Sequence, residues 1–227
     1  MNRLVFALVL IATAAAMPAF AVLPEYDEPV RNIILIRHGE YEHDSECDED
    51  VGCGLVALGR QQARLVADRL RAMPITFTSI QASAMTRARQ TGEIVAAAFP
   101  YLELAIHRDI RECAPPTWRE DIMADLGPED GEPCLANLEA AWERIFVPAS
   151  GDANEYDIVI CHGNVIRWFV TKVLKVENMS WLQMSIANCS MTVVQVRADG
   201  AMKLVAFADS GHIPYSMTTY PGTEAPQ

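Results

Sequence analysis

Basic residues are scarce in this chain of 227 residues, which has 18 lysines and arginines against 30 aspartates and glutamates. The formal net charge of −12 argues against a nucleic-acid partner, because proteins that hold a phosphate backbone need an excess of basic residues. A P-loop and a glycine-rich dinucleotide fingerprint are both missing, and so is any spacing typical of metal ligands. We therefore expect no nucleic acid, no metal and no other cofactor.

Internal repeats, low-complexity tracts and linkers between domains are also missing. Hydrophobic residues make up 51% of the chain, and a core of this size can form without bridges or a metal. Beyond the N-terminal run, no segment approaches the length that spans a bilayer. We expect one domain over residues 22–227.

The N-terminal residues 1–21 have the pattern of a signal peptide. An apolar run over residues 4–17 is followed by Ala19 and Ala21, which are the small residues that a cleavage site requires. Cleavage after Ala21 predicts an exported, periplasmic protein with no stable membrane association. The alternative is an uncleaved anchor over residues 4–23, which is long enough to cross a bilayer.

The six cysteines allow many disulfide pairings, and export would make pairing plausible. We expect two local bridges, Cys47–Cys53 across a short polar loop and Cys113–Cys134 across a proline-rich one. Cys161 ends an apolar run that is typical of a buried strand, so a free thiol is expected there. For Cys189, the sequence does not distinguish between a disulfide bond and a free thiol.

Short β-branched runs alternate with segments of helical periodicity. The alternation predicts a three-layer α/β/α sandwich with a mostly parallel central sheet. The C-terminal part is expected to form a β-hairpin, and Ser83 is expected to cap the second helix. Predicted strands cover residues 32–36, 75–80, 102–107 and 157–160, predicted helices 58–73, 83–98, 135–146 and 165–174, the hairpin 189–196 and 202–207, and an irregular excursion 109–133.

Two of the predicted strands end in a histidine that is followed by a glycine, in Arg37-His38-Gly39 and in His162-Gly163. Ligands bind at the carboxyl ends of strands in open α/β sheets, and a glycine lets the backbone come close to a ligand. One such histidine is more often a hydrogen-bonded core residue. Two at equivalent positions indicate a site.

Arginines add positive charge at the same edge. Arg87 falls in the first turn of the helix after the second strand, beside free N–H groups; an ion pair with a neighbouring carboxylate is the alternative. Arg89 points nearly the opposite way and is expected at the surface. Two arginines and two histidines in one pocket suit a phosphoryl group, because guanidinium groups hold its oxygens while an imidazole attacks phosphorus in line.

These motifs, in this order, resemble the histidine phosphatase superfamily in its phosphoglycerate-mutase-like branch. The resemblance runs from about residue 32 to residue 214. Within it, several segments resemble the mitochondrial serine/threonine protein phosphatases of that branch more than they resemble the superfamily in general. It implies the single-domain phosphoglycerate-mutase-like fold. The implied roles are His38 as the nucleophile that becomes phosphohistidine, Glu112 as the acid that protonates the leaving oxygen and then activates water, and Arg37, Arg87 and His162 as phosphate ligands.

The implied mechanism makes demands on two side chains. His38 must be neutral, so its proton is expected on the far nitrogen, held by a backbone acceptor. Glu112 must have a raised pKa in order to donate a proton near neutrality; the alternative is a solvated loop acid. For Arg167, one turn into the last predicted helix, we expect a structural ion pair.

Residues 40–54 form an acidic loop without lysine or arginine. The loop could be a cation site, a substrate gate or a solvated loop, and the last interpretation leads because the spacing of an EF-hand is missing. Its charge would repel highly anionic small substrates and tolerate neutral or basic phosphorylated partners.

We expect a metal-independent phosphatase that acts on phosphate monoesters of a small molecule or a protein, including phosphoserine and phosphothreonine proteins. One alternative is a mutase of the phosphoglycerate type, which needs a lid that keeps water from the intermediate. Residues 113–134 contain only Arg119 as a basic residue, which argues against a basic lid there. The other alternative is a phosphate-binding or interaction module without turnover.

Overall fold

The structure is a computed structural model, which describes residues 26–43, 46–48 and 50–220. The predicted signal peptide, its cleavage site and the alternative membrane anchor lie outside these residues. None of the described helices combines the length and apolar character that crossing a bilayer requires.

One six-stranded sheet forms the centre of the protein, in the order β3-β2-β4-β1-β5-β6. Strands β3, β2, β4 and β1 pair in parallel, whereas β5 pairs antiparallel with both β1 and β6. The sheet is therefore mixed and mostly parallel. The strands are β1 (Arg31–Arg37), β2 (Ser79–Ser83), β3 (Leu104–His107), β4 (Glu155–Cys161), β5 (Met191–Val196) and β6 (Met202–Asp209).

Helices cover both faces of the sheet because the central strands carry apolar side chains on both sides. On β1, Ile34 and Ile36 pack in the same core as α1 and α2, while Ile33 and Leu35 pack in the core of α4 and α5. This single α/β domain confirms the predicted fold class. The helices are α1 (Ala57–Arg71), α2 (Thr86–Ala96), α3 (Glu120–Ala124), α4 (Glu132–Ile145) and α5 (Gly163–Leu174).

Two local predictions around β2 are wrong. The strand begins at Ser79 rather than at Ile75, although Phe77 before it is buried in the core, because pairing with β4 starts only at Ser79. Ser83 does not cap α2. It is the last residue of β2, and the chain needs two further residues to turn before the helix begins at Thr86.

Both expected disulfides are present, Cys47–Cys53 and Cys113–Cys134. Cys161 is a free, buried thiol as predicted, and Cys189 is free and buried as well. The segment 109–133 is irregular apart from the short helix α3. The second disulfide ties the start of this segment to the first turn of α4.

Candidate active site

The register of the parallel strands determines which residues meet at the sheet edge. Arg37 at the end of β1 pairs with Cys161 at the end of β4, and Ala82 near the end of β2 pairs with Ile160. The residues that follow these strands therefore leave the sheet side by side. His38, His162 and Ser83 are buried there at 1%, 0% and 0% exposure.

The ring of His38 is held by one hydrogen bond on each nitrogen. Nδ1 lies 2.8 Å from the carbonyl oxygen of Gly39, and Nε2 lies 3.1 Å from Nε of Arg87. Because the guanidinium only donates, Nε2 must accept, and the ring proton is on Nδ1. Burial, and then the charges of Arg87 and Arg37, hold the pKa of His38 well below its usual value. His38 is thus a neutral imidazole with its lone pair on Nε2, and the predicted backbone acceptor is the Gly39 carbonyl.

His162 faces His38, with the ring centroids 5.0 Å apart. Its Nε2 lies 2.8 Å from the hydroxyl oxygen of Ser83, while its Nδ1 is buried and has no hydrogen-bond partner among the residues that the structure describes. Burial and the charge of Arg87 hold its pKa well below the ordinary histidine value. The structure brings together two neutral imidazoles, one of which has an unsatisfied ring nitrogen.

The guanidinium groups of Arg37 and Arg87 lie close enough to both rings to lower their pKa values. Arg37 donates to the carbonyl of Ile186 at 2.8 Å, and its Nε is buried with no hydrogen-bond partner in the described part of the chain. Arg87 lies over the ring of Tyr41, 4.5 Å from the centroid. Among the described residues, no carboxylate forms an ion pair with either guanidinium group, so their charge is suited to binding an anion.

The predicted ion pair of Arg167 is wrong. Within the part of the chain that the structure describes, Arg167 has no carboxylate within ion-pair distance; it donates to Asn164 at 3.1 Å, and its Nε is buried and unpartnered. The reason is its place near the start of α5, which brings its charge close enough to Arg37 and Glu112 to act on the pKa of both in the lowering direction. Arg89, by contrast, is exposed as predicted and forms a surface pair with Glu93 at 3.7 Å.

Glu112 reaches the same pocket from the loop after β3. Its carboxylate accepts a hydrogen bond of 3.1 Å from the backbone N–H of Asn164, in the first turn of α5. Burial raises its pKa, although the charges of Arg87 and Arg37 act in the opposite direction. Its partial burial and this bond to α5 do not fit the alternative of a solvated loop acid. Glu112 can hold a proton closer to neutrality than an ordinary carboxyl group.

Glu112, His38 and His162 are also the one group among the described residues whose ligand atoms could meet at a metal ion, since these atoms lie within 4.8 Å of one another. A histidine pair and a carboxylate are ligand types that zinc accepts. The surrounding guanidinium groups, however, disfavour a cation and attract an anion. The electrostatics therefore match a phosphoryl group better than a metal.

The acidic loop is partly folded over the site rather than fully solvated, so the leading interpretation of it is wrong in part. Asp50 forms ion pairs with Arg108 at 2.7 Å and Arg111 at 2.6 Å. The backbone carbonyl of Val51 accepts a hydrogen bond from the N–H of Thr86 at the start of α2. The loop is therefore tied to two segments that carry site residues.

Several supporting residues were not predicted from the sequence. Thr91 accepts a hydrogen bond from the N–H of Gly39 at 3.1 Å, and Asn188 donates to the carbonyl of His38 at 2.9 Å. Tyr41 and Asn188 lie in loops without a motif, so no local pattern could have identified them. Arg111 could have been found, because it follows β3 and directly precedes Glu112, at the same edge as the other strand ends.

The sequence model of the histidine phosphatase superfamily (branch 1) matches residues 33–133 and 127–210. The chain is 36% identical over 194 residues to the mitochondrial serine/threonine-protein phosphatase Pgam5 of Caenorhabditis elegans and 33% identical over 193 residues to the human protein of that name. Each alignment covers 81% of this chain and 64% of the relative, so the chain spans about two thirds of the relatives' length.

Among solved structures, the phosphoglycerate mutase of Plasmodium falciparum superposes with a TM-score of 0.57 and 25% identity, over 88% of this chain and 99% of that one. The fold is thus phosphoglycerate-mutase-like, as expected. The predicted periplasmic location is contradicted, because the matched relatives are mitochondrial proteins. The prediction depends on the signal-peptide pattern of residues 1–21, which lie outside the described residues.

Proposed function

Because the chain belongs to the histidine phosphatase superfamily, we propose that it hydrolyses phosphate monoesters through a phosphohistidine on His38. The names of the matched relatives support phosphoserine and phosphothreonine of proteins as substrates. The observation that carries the proposal is the state of the His38 ring. It is neutral, with the proton fixed on Nδ1 and the lone pair on Nε2 inside an arginine-rich pocket.

The first step is transfer of the phosphoryl group to His38. The lone pair of Nε2 attacks phosphorus, and Arg87 exchanges its bond to Nε2 for a bond to a phosphoryl oxygen. Arg37 and Arg167 each offer a buried Nε that no described residue engages in a hydrogen bond. Charge-assisted bonds of this kind stabilise the oxygens as their charge develops.

His162 contributes a hydrogen bond rather than a charge. When the Ser83 hydroxyl donates to its Nε2, the ring proton is on Nδ1, the nitrogen that has no partner among the described residues. That N–H then donates to a phosphoryl oxygen. Ser83 is in this way a positioning residue, since it selects the tautomer of His162 without touching the substrate.

Glu112 supplies protons in both half-reactions. It protonates the ester oxygen as the bond from phosphorus to oxygen breaks, and the alcohol leaves. The resulting carboxylate then takes a proton from a water that attacks phosphorus, which releases inorganic phosphate and restores both His38 and the protonated acid. The raised pKa of Glu112 suits the first of these roles.

The test is release of inorganic phosphate from p-nitrophenyl phosphate and from a phosphoserine peptide. Replacement of Arg87 by Ala should lower kcat/KM by at least ~100-fold, since an electrostatic contact to the transition state is lost. Replacement of Arg89 by Ala is the matched control, because this exposed arginine lies two residues away on the same helix. Equal effects of the two replacements, or wild-type protein without turnover on either substrate, would contradict the proposal.

A further inference from the structure

A second group of charges lies beside Glu112, outside the phosphoryl pocket. A cavity of about 220 Å³ opens there, lined among others by Arg108, Arg111, Pro128 and Glu129. Since Glu112 protonates the leaving oxygen in the proposed function, the leaving group must lie on the side of the pocket where Glu112 stands. The cavity is therefore placed to receive the part of the substrate that carries the phosphate.

Asp50, in the acidic loop, forms ion pairs with both arginines that line this cavity. The carboxylate of Asp50 accepts hydrogen bonds from Nη1 of Arg111 at 2.6 Å and from both terminal nitrogens of Arg108, at 2.7 and 3.3 Å. Arg111 also donates to the backbone carbonyl of Asp50 and lies 3.2 Å from Glu129. Arg111 nevertheless keeps one free donor, since its buried Nε has no hydrogen-bond partner within residues 26–43, 46–48 and 50–220.

Arg111 differs from the other arginines of the site because it has carboxylate partners. Arg37, Arg87 and Arg167 have no carboxylate within ion-pair distance among the described residues, so their charge is available to the phosphoryl oxygens. Arg111 lies close enough to affect the pKa of both Arg87 and His162, yet it is already paired with the carboxylates of Asp50 and Glu129. The structure thus separates an open anion site from a neighbouring one that already contains an anion of the protein itself.

We propose that Asp50 is a specificity-determining residue, whose carboxylate occupies the Arg108–Arg111 pair beside the acid and selects against phosphate monoesters that carry a second anionic group close to the phosphoryl group. This inference rests on the proposed function for the direction in which the leaving group points. A substrate with a carboxylate near its phosphate would have to displace Asp50 to reach the two arginines. A neutral leaving group, such as a serine or threonine side chain without adjacent acidic groups, leaves the pair intact.

A matched substrate pair tests this selection. 3-Phosphoglycerate and glycerol 3-phosphate differ in a carboxylate against a hydroxymethyl group, and p-nitrophenyl phosphate reports basal activity. We expect Asp50→Asn to raise the ratio of kcat/KM for 3-phosphoglycerate over glycerol 3-phosphate by about tenfold, with p-nitrophenyl phosphate turned over as by the wild type. The gain should shrink at high salt, because the exposed charges of Asp50 and Arg108 are screened there.

Asp48→Asn is the control for loop structure and net charge. The Asp48 side chain accepts hydrogen bonds from the backbone N–H groups of Asp50 and Val51 and, in the described part of the chain, forms no ion pair with Arg108 or Arg111. Like Asp50→Asn, its replacement by Asn removes one negative charge from the same loop. Its ratio should stay within about twofold of the wild type. An unchanged ratio in Asp50→Asn, or an equal change in both variants, would overturn the inference.

The binding form of the experiment separates this inference from the proposed function. The dissociation constants of the two phosphates are measured by calorimetry in the His38→Ala background, with and without Asp50→Asn, so that no turnover is needed. A shift of their ratio by about tenfold supports the role of Asp50 even if the wild type hydrolyses nothing. An unshifted ratio contradicts that role even if the wild type is an active phosphatase.

Discussion

Replacement of Glu112 by Gln should lower kcat/KM, and the decrease should be larger for a leaving group that needs a proton. The carboxylate offers an atom within 4.8 Å of those of His38 and His162, so an ester oxygen of a phosphoryl group bound between the rings lies within its reach. The amide has nearly the same size as the carboxyl group, but it cannot donate a proton to the ester oxygen. The loss should therefore fall on the chemical step rather than on folding.

The magnitude follows from the substrate. An alkoxide leaving group, as in a phosphoserine peptide, needs the proton, and general acid catalysis contributes ~10²–10⁴-fold, or about 2.7–5.4 kcal/mol in the barrier. p-Nitrophenolate leaves without one, so kcat/KM for its ester should fall by less than about tenfold. The value of kcat/KM reports the phosphoryl transfer to His38 and is insensitive to the later hydrolysis, which also uses Glu112.

The assay is steady-state phosphate release from both substrates by the wild type, by Glu112→Gln and by Glu129→Gln. Glu129 is a carboxylate of the same cavity that lies outside the proposed path of the proton, and its replacement should affect the two esters alike. If Glu112→Gln lowers kcat/KM equally for both esters, the side chain holds the phosphate and does not act as the acid.

Three further results are expected. Ser83→Ala should lower kcat/KM by about tenfold while the fold is kept, because the bond of 2.8 Å that selects the tautomer of His162 is lost; an unchanged rate would refute that role. Gly39→Ala should destabilise the protein by ~1–3 kcal/mol in urea, since a Cβ would lie 2.4 Å from the carbonyl oxygen of Gly59, whereas Gly151→Ala, with open space around it, should not. The stability should fall as the pH drops below about 6.5, by at most roughly 1.4 kcal/mol per pH unit for each of the two buried histidines, and pH-independent urea midpoints between 7.5 and 5.5 would contradict this.

The sign of the pH effect follows from where the protons bind. Burial keeps the pKa of His38 and of His162 below the value in the unfolded chain. In the window between the two values, the unfolded chain binds protons that the folded protein does not, so acid favours unfolding. Glu112 acts in the opposite sense, because its pKa is raised and its contribution is lost as the pH rises from the ordinary carboxyl value through the raised one.

The residues at the strand ends could be predicted because short-range patterns determine them. His38 and His162 each follow a β-branched run, and parallel strands bring their carboxyl ends to one edge whatever the order of the sheet. Glu112 was harder, since it lies in an irregular segment, and only the resemblance to the family indicated its role. The site could thus be assembled from local patterns together with that resemblance.

The remaining features depend on contacts between distant segments, which no local pattern encodes. Asp50 meets Arg108 and Arg111 across 58 and 61 residues of chain. Serine is a residue type that often caps helices, yet the register of β2 with β4 places the Ser83 hydroxyl against His162 instead. Arg167 was expected to pair with a carboxylate, and its place near the start of α5 brings its charge close to Arg37 and Glu112 instead.

The central claim is that His38 carries the phosphoryl group during turnover. The most direct measurement is intact-protein and peptide mass spectrometry after a rapid alkaline quench of the protein with p-nitrophenyl phosphate, since phosphohistidine survives base and is lost in acid. The account predicts one added phosphoryl group, located on His38, absent in His38→Ala and accumulated in a variant that forms the intermediate but hydrolyses it slowly. Turnover without that adduct, or with the phosphoryl group on another residue, would contradict it.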